Sequence, residues 1–235
     1  NFINRILMIR RLAIIPARAG SQRVKKKNIK LFFNKPLIYY SLRAAKKSKL
    51  FTKIHISTES ALIKKQAEKL GFNIDFMRKK NLSKDNIPLS KVINYVLKKY
   101  LERKIKFDEV WLIYASNPLI NEKLLKSGYK QYVKYKKKKS VISVSKFNYP
   151  IYWAMKKSKY NTLTPVFKNK SKLNSNKMED YLCDAGMFVI YQINFQKNKS
   201  KLNYSPFVLP WWNTIDIDTY EDFLAAKFLY KNANL

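Results

Sequence analysis

The chain has 235 residues, with 49 Lys and Arg against 15 Asp and Glu, for a net charge of +34. One cysteine, Cys183, and one histidine, His55, exclude an intrachain disulfide and any zinc site built from several Cys and His. The length suits one α/β domain spanning 1–235, and no apolar run is long enough to span a bilayer. The charge invites a nucleic-acid reading. However, the lysines are spread along the chain, and the joint richness in Lys, Asn, Ile, Tyr and Phe is what AT-biased coding produces. The expectation is no specific nucleic-acid partner, and a field that steers anionic small substrates. The single cysteine points to the cytoplasm.

In chain order, "NFINRILMIRRLAIIP" reads as entry into a first strand and not as a signal peptide, because charges flank short apolar pieces. "LAIIPA" is a strand that empties into the small, basic loop "RAGSQRVKKKN". "PLIYYSLRAAKKS" is a helix with Pro36 in its first turn. "KIHIST" is a strand carrying His55, and Glu59 to Leu70 is a helix closed by Gly71. "NIDFM" is a candidate short strand. "LSKVINYVLKKYLERK" has a 3.6-residue apolar stripe, "EVWLIYA" suits a central strand, and Asn121 caps the helix that follows. "SVISVS" is a strand. The rhythm then stops, and residues 146–182 read as an inserted hairpin or arm with an irregular basic loop from Lys168 to Lys177. "DAGMFVIY" and "FVLPWWNTIDIDT" return to strand character. "TYEDFLAAKFLYK" is a last helix with Thr219 and Asp222 at capping-box spacing. Such alternation predicts a mostly parallel sheet with helices on both faces and a ligand site beyond the strands' carboxyl ends. "STES" and "ASNP" lie at two such ends.

Three constellations could carry chemistry. The opening loop lacks both the Walker spacing and G-x-G-x-x-G. It offers Gly20 and Ser21 beside Arg18, Arg23 and Lys27, suited to a polyphosphate held by backbone N–H groups and arginine forks, or simply solvated. Asp216 and Asp218 stand at i and i+2 in an extended segment, so their carboxylates share a side. A hard cation such as Mg²⁺ would suit them, while pairing with lysines or capping the last helix is the alternative. Asp184 precedes Ala185 and Gly186 at the start of an apolar strand, where small residues leave room for a ligand and Asp184 can accept from sugar hydroxyls, or where an ordinary turn sits. Trp211 and Trp212 read as core or interface, and Cys183 as buried.

Together, "IIPARAGSQRVKKKNI", "FMRKKNLS" and "IDIDTYEDF" resemble the acylneuraminate (CMP-sialic acid) cytidylyltransferase family, in the expected order over nearly the whole chain. The resemblance implies a Rossmann-like nucleotidyltransferase fold with a protruding arm through which homodimers form, at about 146–182. It implies a nucleotide site on Ala17, Arg18, Gly20, Ser21, Gln22, Arg23, Lys27 and Asn28, with Arg78 and Ser90 adding contacts. Gln22 stands where some members have a phosphate-binding lysine. Asp216 and Asp218 would hold Mg²⁺ and, with Arg18, carry catalysis. "IYASNPLI" has Tyr114 where sialic-acid enzymes have Gln, and with "YLCDAGMF" this resembles the pseudaminic acid subgroup. Tyr114, Asn117 and Asp184 would then face the sugar. The implied reaction joins CTP and a nonulosonic acid into CMP-nonulosonate and pyrophosphate. The alternatives are a 3-deoxy-manno-octulosonate cytidylyltransferase and a basic nucleic-acid-binding protein.

Overall fold

A computed structural model describes residues 9–170, 172–174, 176, 178–192 and 203–232. The stretch before residue 9 and parts of the basic loop at 168–177 lie outside the described residues. Strand β1 (Arg11–Pro16) has a central apolar run, Leu12 to Ile15, buried at both faces. Short strands β2 (Leu31–Phe32) and β3 (Lys35–Pro36) pair with each other, and helix α1 (Ile38–Ser48) follows. Pro36 therefore closes a two-residue ladder and stands before the helix, whose N-cap is Leu37. Next come β4 (Lys53–Ser57), α2 (Ala61–Lys69), α3 (Leu89–Glu102), β5 (Glu109–Ile113) and α4 (Glu122–Lys134). Asn121 caps α4 by accepting from the Leu124 N–H at 3.0 Å. Strand β6 (Ser140–Lys146) leads to a hairpin of β7 (Met155–Lys157) and β8 (Leu163–Pro165), within the stretch read as an inserted hairpin or arm. Strands β9 (Leu182–Ile190) and β10 (Tyr204–Leu209) and helix α5 (Tyr220–Asn232) complete the described chain. Asn73–Met77, a candidate strand, has no ladder partner. Instead Phe76 packs on His55 with ring centroids 4.4 Å apart.

The main sheet has the order β10-β6-β9-β5-β1-β4. Strand β9 runs against both neighbours, and the other pairings are parallel. Along β1, Ala13 and Ile15 join Ile38, Trp111, Leu125 and Phe188 on one face, while Leu12 and Ile14 join Ile93, Val96 and Tyr100 of α3 on the other. Two-sided burial of that kind requires an almost wholly apolar strand, as "LAII" is. A third cluster, with Phe32, Leu37, Ile217 and Phe223, packs α5 against β2 and the start of α1. No helix among the described residues is long and apolar enough to cross a membrane.

Candidate active site

The loop after β1 is shaped by its own hydrogen bonds. The Ala17 N–H extends the β4 pairing to Ser57 O at 3.0 Å, and Asn28 Nδ2 ties the far end of the loop to Arg18 O at 2.9 Å. The side chains of Arg18, Ser21, Gln22, Arg23, Lys27 and Asn28 then line one wall of a pocket of about 610 Å³. Arg78 and the segment from Leu82 to Asp85 form the facing wall, with Tyr114, Ser116, Asp216 and Asp218 completing it. The pocket lies beyond the carboxyl ends of β1 and β5, where a ligand site is expected in such a sheet.

The two aspartates owe their orientation to the residue between them. Ile217 is fully buried in the cluster with Phe223, so its neighbours turn the opposite way, into the pocket. Asp216 Oδ1 accepts from Ser116 Oγ at 3.1 Å. Asp218 accepts from Arg23 Nη2 at 2.7 Å and from Lys27 Nζ at 3.1 Å. Pairing with basic residues is thus real for Asp218. Helix capping falls to Asp222, which accepts from the N–H groups of Asp218 at 3.0 Å and Thr219 at 2.7 Å, while Thr219 accepts in return from Asp222. Burial pushes the Asp216 carboxyl above its ordinary value, Asp218 and Asp184 push it the same way, and Lys27 and Ser116 only partly offset them. A hard cation would relieve that repulsion. Among the described residues no three His, Cys, Asp or Glu side chains are grouped to hold a metal. Two carboxylates plus phosphate and water oxygens are the donor set Mg²⁺ commonly takes, so the residues fit.

Four cations that line the pocket face carboxylates. Arg18 is paired with Asp85, Arg23 and Lys27 with Asp218, and Arg78 with Glu59 at 3.0 Å. The Arg18 and Arg23 pairs are solvent-exposed, which makes each worth about 0–1 kcal/mol. Either pair therefore opens at little cost. Tyr114 lines the pocket with its phenol held above its ordinary value by burial, helped by Asp184 and Asp216. It stays protonated and able to donate.

Other expected positions stand outside this lining. Ala17 is fully buried and Gly20 lies outside the pocket lining, with nothing within 4 Å of where its Cβ would be. Nor is the loop a free row of backbone donors: Ala19 N–H is bonded to Glu59 at 2.8 Å and Ser21 N–H to Ala19 O at 2.9 Å. Ser90 is exposed on the first turn of α3 and does not line the pocket. Asn117 is wholly buried, accepting from Leu119 N–H at 3.1 Å and donating to Ala185 O at 3.4 Å, so it shapes a turn. The room expected at Gly186 is filled by Asp216, whose Cβ and Cγ lie 3.1 Å from where a Gly186 Cβ would be. Asp184 accepts from Gly186 N–H at 2.9 Å and lines an adjoining cavity of about 550 Å³ that shares Asp216 with the main pocket. Trp211 and Trp212 are 52% and 53% exposed, which excludes a core role. Cys183 is half-buried. Ser83, Asp85 and Ser116 line the pocket and Glu59 stands behind it, and sequence reading missed all four, although "STES" and "ASNP" marked the strand ends that carry Glu59 and Ser116.

A family model described as cytidylyltransferase matches residues 12–228, the span that holds every pocket residue named above. The chain belongs to the cytidylyltransferase family. A pseudaminic acid cytidylyltransferase of Campylobacter jejuni is 33% identical over 226 residues, 95% of this chain and 97% of that protein. A CMP-N,N'-diacetyllegionaminic acid synthase of Legionella pneumophila is 28% identical over 225 residues, 94% of this chain and 96% of that protein. Among solved structures, a CMP:2-keto-3-deoxy-manno-octonic acid synthetase complexed with CTP has a TM-score of 0.71 at 14% identity. It covers 94% of this chain and 98% of that one, a likeness of fold. As a cytidylyltransferase, the chain is a CTP-dependent nucleotidyltransferase.

Proposed function

We propose that the protein joins CTP and a nine-carbon nonulosonic acid, with pseudaminic acid preferred, into the CMP-sugar and pyrophosphate. The observation that carries this reading is the single pocket in which Arg18, Arg23, Lys27 and Arg78 face Asp216 and Asp218. The triphosphate takes the cationic wall, and Arg18 exchanges Asp85 for phosphate oxygens. The sugar enters from the adjoining cavity beside Asp184, with the Tyr114 hydroxyl as a donor between the two. The sugar's anomeric hydroxyl attacks the α-phosphorus in line. One O–P bond forms, the bond to the β-phosphate bridging oxygen breaks, and the proton passes to solvent. The chain positions and stabilises charge and forms no covalent bond to the substrate. Mg²⁺ on Asp216 and Asp218 would supply charge neutralisation at the phosphates. The similarity to the pseudaminic acid enzyme, together with Tyr114 in the pocket, favours that sugar.

The reading extends to assembly and place. The hairpin region exposes Tyr149, Trp153, Met155, Tyr160, Leu163 and Val166, an apolar share that a second copy of the chain would cover. We therefore place a homodimer through this arm, in the cytoplasm where CTP is made. Light scattering on the wild type and on a Tyr160→Asp variant tests the dimer; equal masses at the monomer value contradict it. The test of function is pyrophosphate release with CTP, Mg²⁺ and a panel of nonulosonic and octulosonic acids. Asp216→Asn and Asp218→Asn should each lower kcat by about 10²-fold or more with the fold intact, as loss of a charged ligand and transition-state stabiliser does. Wild-type turnover and unchanged Mg²⁺ dependence in both variants would overturn the metal assignment.

A further inference from the structure

Glu59 lies between the end of β4 and Ser60, the residue that caps α2. It does not line the pocket. Yet its carboxylate is where the two pocket walls meet. One oxygen accepts from Ala19 N–H of the opening loop at 2.8 Å. The other accepts from Arg78 Nη2 at 3.0 Å and Ser83 Oγ at 2.9 Å, both on the facing wall. The Arg78 N–H adds a bond to Thr58 O at 2.7 Å, beside Glu59. The loop from 17 to 23 and the segment from 78 to 85 share no sheet ladder or long helix. The Glu59 contacts join them, with the exposed Arg18–Asp85 pair as a second tie at the rim.

The pair is buried, with side chains 3% exposed for Arg78 and 14% for Glu59. A buried pair broken from one side strands a charge, so the geometry is held firmly. Arg78 Nε is buried and has no acceptor, while the same guanidinium lines the pocket. Such a donor is uncommon in a folded protein, and a ligand or ordered water that brought an acceptor would satisfy it. Glu59 occupies one end of the guanidinium and leaves the other donors for that ligand.

We propose that Glu59 is a positioning residue for the nucleotide: its carboxylate fixes the spacing of the opening loop and the Arg78–Ser83 wall, and so sets CTP affinity without touching CTP. The proposal rests on the CTP reading of the pocket but not on the identity of the sugar. The experiment is titration calorimetry of CTP with Mg²⁺, without sugar, on the wild type and on Glu59→Gln, Glu59→Asp and Ser83→Ala. Hydrogen exchange is read on the same samples. Glu59→Gln keeps the shape but loses the charge. CTP Kd should rise about tenfold, the loss of one charge-assisted bond. Exchange should speed up at 17–23 and 78–85 while β1 and β5 stay protected. Glu59→Asp, which keeps the charge, should regain part of the affinity. Ser83→Ala removes one donor without stranding a charge and should raise Kd by about threefold, which keeps the test open if Glu59→Gln does not fold. With a turned-over sugar, KM for CTP should rise in Glu59→Gln while kcat changes little. Unchanged CTP Kd in the folded variants would overturn the proposal, as would exchange rising evenly through the core with kcat and both KM values worsening together. Affinity for CTP without turnover of any nonulosonate would count against the sugar reading alone.

Discussion

Replacing Gly186 by alanine tests whether the placement of Asp216 matters. Gly186 sits in β9 with φ +58°, and a Cβ there would lie 3.1 Å from Asp216 Cβ and Cγ and 3.2 Å from Oδ2. Two costs add. The left-handed backbone costs an L-residue about 1–2 kcal/mol, which for a chain of this size lowers Tm by about 2–8 °C. The contact also forces the Asp216 side chain, which holds the bond to Ser116, to give by a few tenths of an ångström. A misplacement of about 1 Å costs about 10²-fold in rate, so this smaller shift should lower kcat by about three- to tenfold. Gly71→Ala is the control. Gly71 also has positive φ, +80°, but nothing lies within 4 Å of its Cβ position, and it stands at the end of α2. It should lose similar stability and no turnover. Calorimetric Tm and initial rates at saturating CTP and sugar read both. Gly186→Ala with lost stability but wild-type kcat would refute the claim that Asp216 is held in place for catalysis.

Arg18→Ala should raise KM for CTP far more than KM for the sugar in separate saturation curves, whereas Asp85→Asn, by freeing Arg18 from an exposed pair, should lower KM for CTP by up to about fivefold. An effect of Arg18→Ala confined to the sugar would mean the loop faces the other substrate. Gly128→Ala should cost about 1–3 kcal/mol in urea unfolding with kcat unchanged, because its Cβ would lie 2.6 Å from the buried Phe188 ring, away from the pocket. Burial, with Lys53 and Arg103 adding and Asp75 opposing, lowers the His55 pKa to about 3. The unfolded chain therefore binds a proton that the folded one refuses as pH falls below about 6.5, and stability should fall by about 1.4 kcal/mol per pH unit from this group. His55→Gln should flatten the slope between pH 6 and pH 4; an identical slope would contradict a neutral His55.

What was readable in the sequence was local. The apolar run of β1, the stripe of α3 and the caps at Asn121 and Thr219 are set by residues within one or two turns, and each formed as expected. The pairing of Asp216 and Asp218 was readable for the same reason, since alternation around one buried isoleucine needs no distant partner. What failed depended on distant chain. Pro36 suits a helix start equally well, but pairing with Leu31 draws it into a ladder. Asn73–Met77 has strand-like residues, but Arg103 bonds Asp75 O at 3.1 Å and Phe76 stacks on His55, so its contacts are made by side chains. Insertion of β9 against the direction of β5 and β6 has no signature within β9 itself. Glu59 escaped notice because its three partners lie 40, 19 and 24 residues away, a spacing no motif encodes.

The most direct measurement follows the α-phosphorus of CTP by phosphorus NMR, with Mg²⁺ and pseudaminic acid, on the wild-type protein and on Asp216→Asn. The wild type should convert CTP to a CMP phosphodiester and pyrophosphate in equal amounts, at a rate that exceeds the reaction with 3-deoxy-manno-octulosonate. The variant should leave CTP almost unchanged over the same period. CTP left intact by the wild type with every nonulosonate, or consumed equally fast by the variant, would contradict the account.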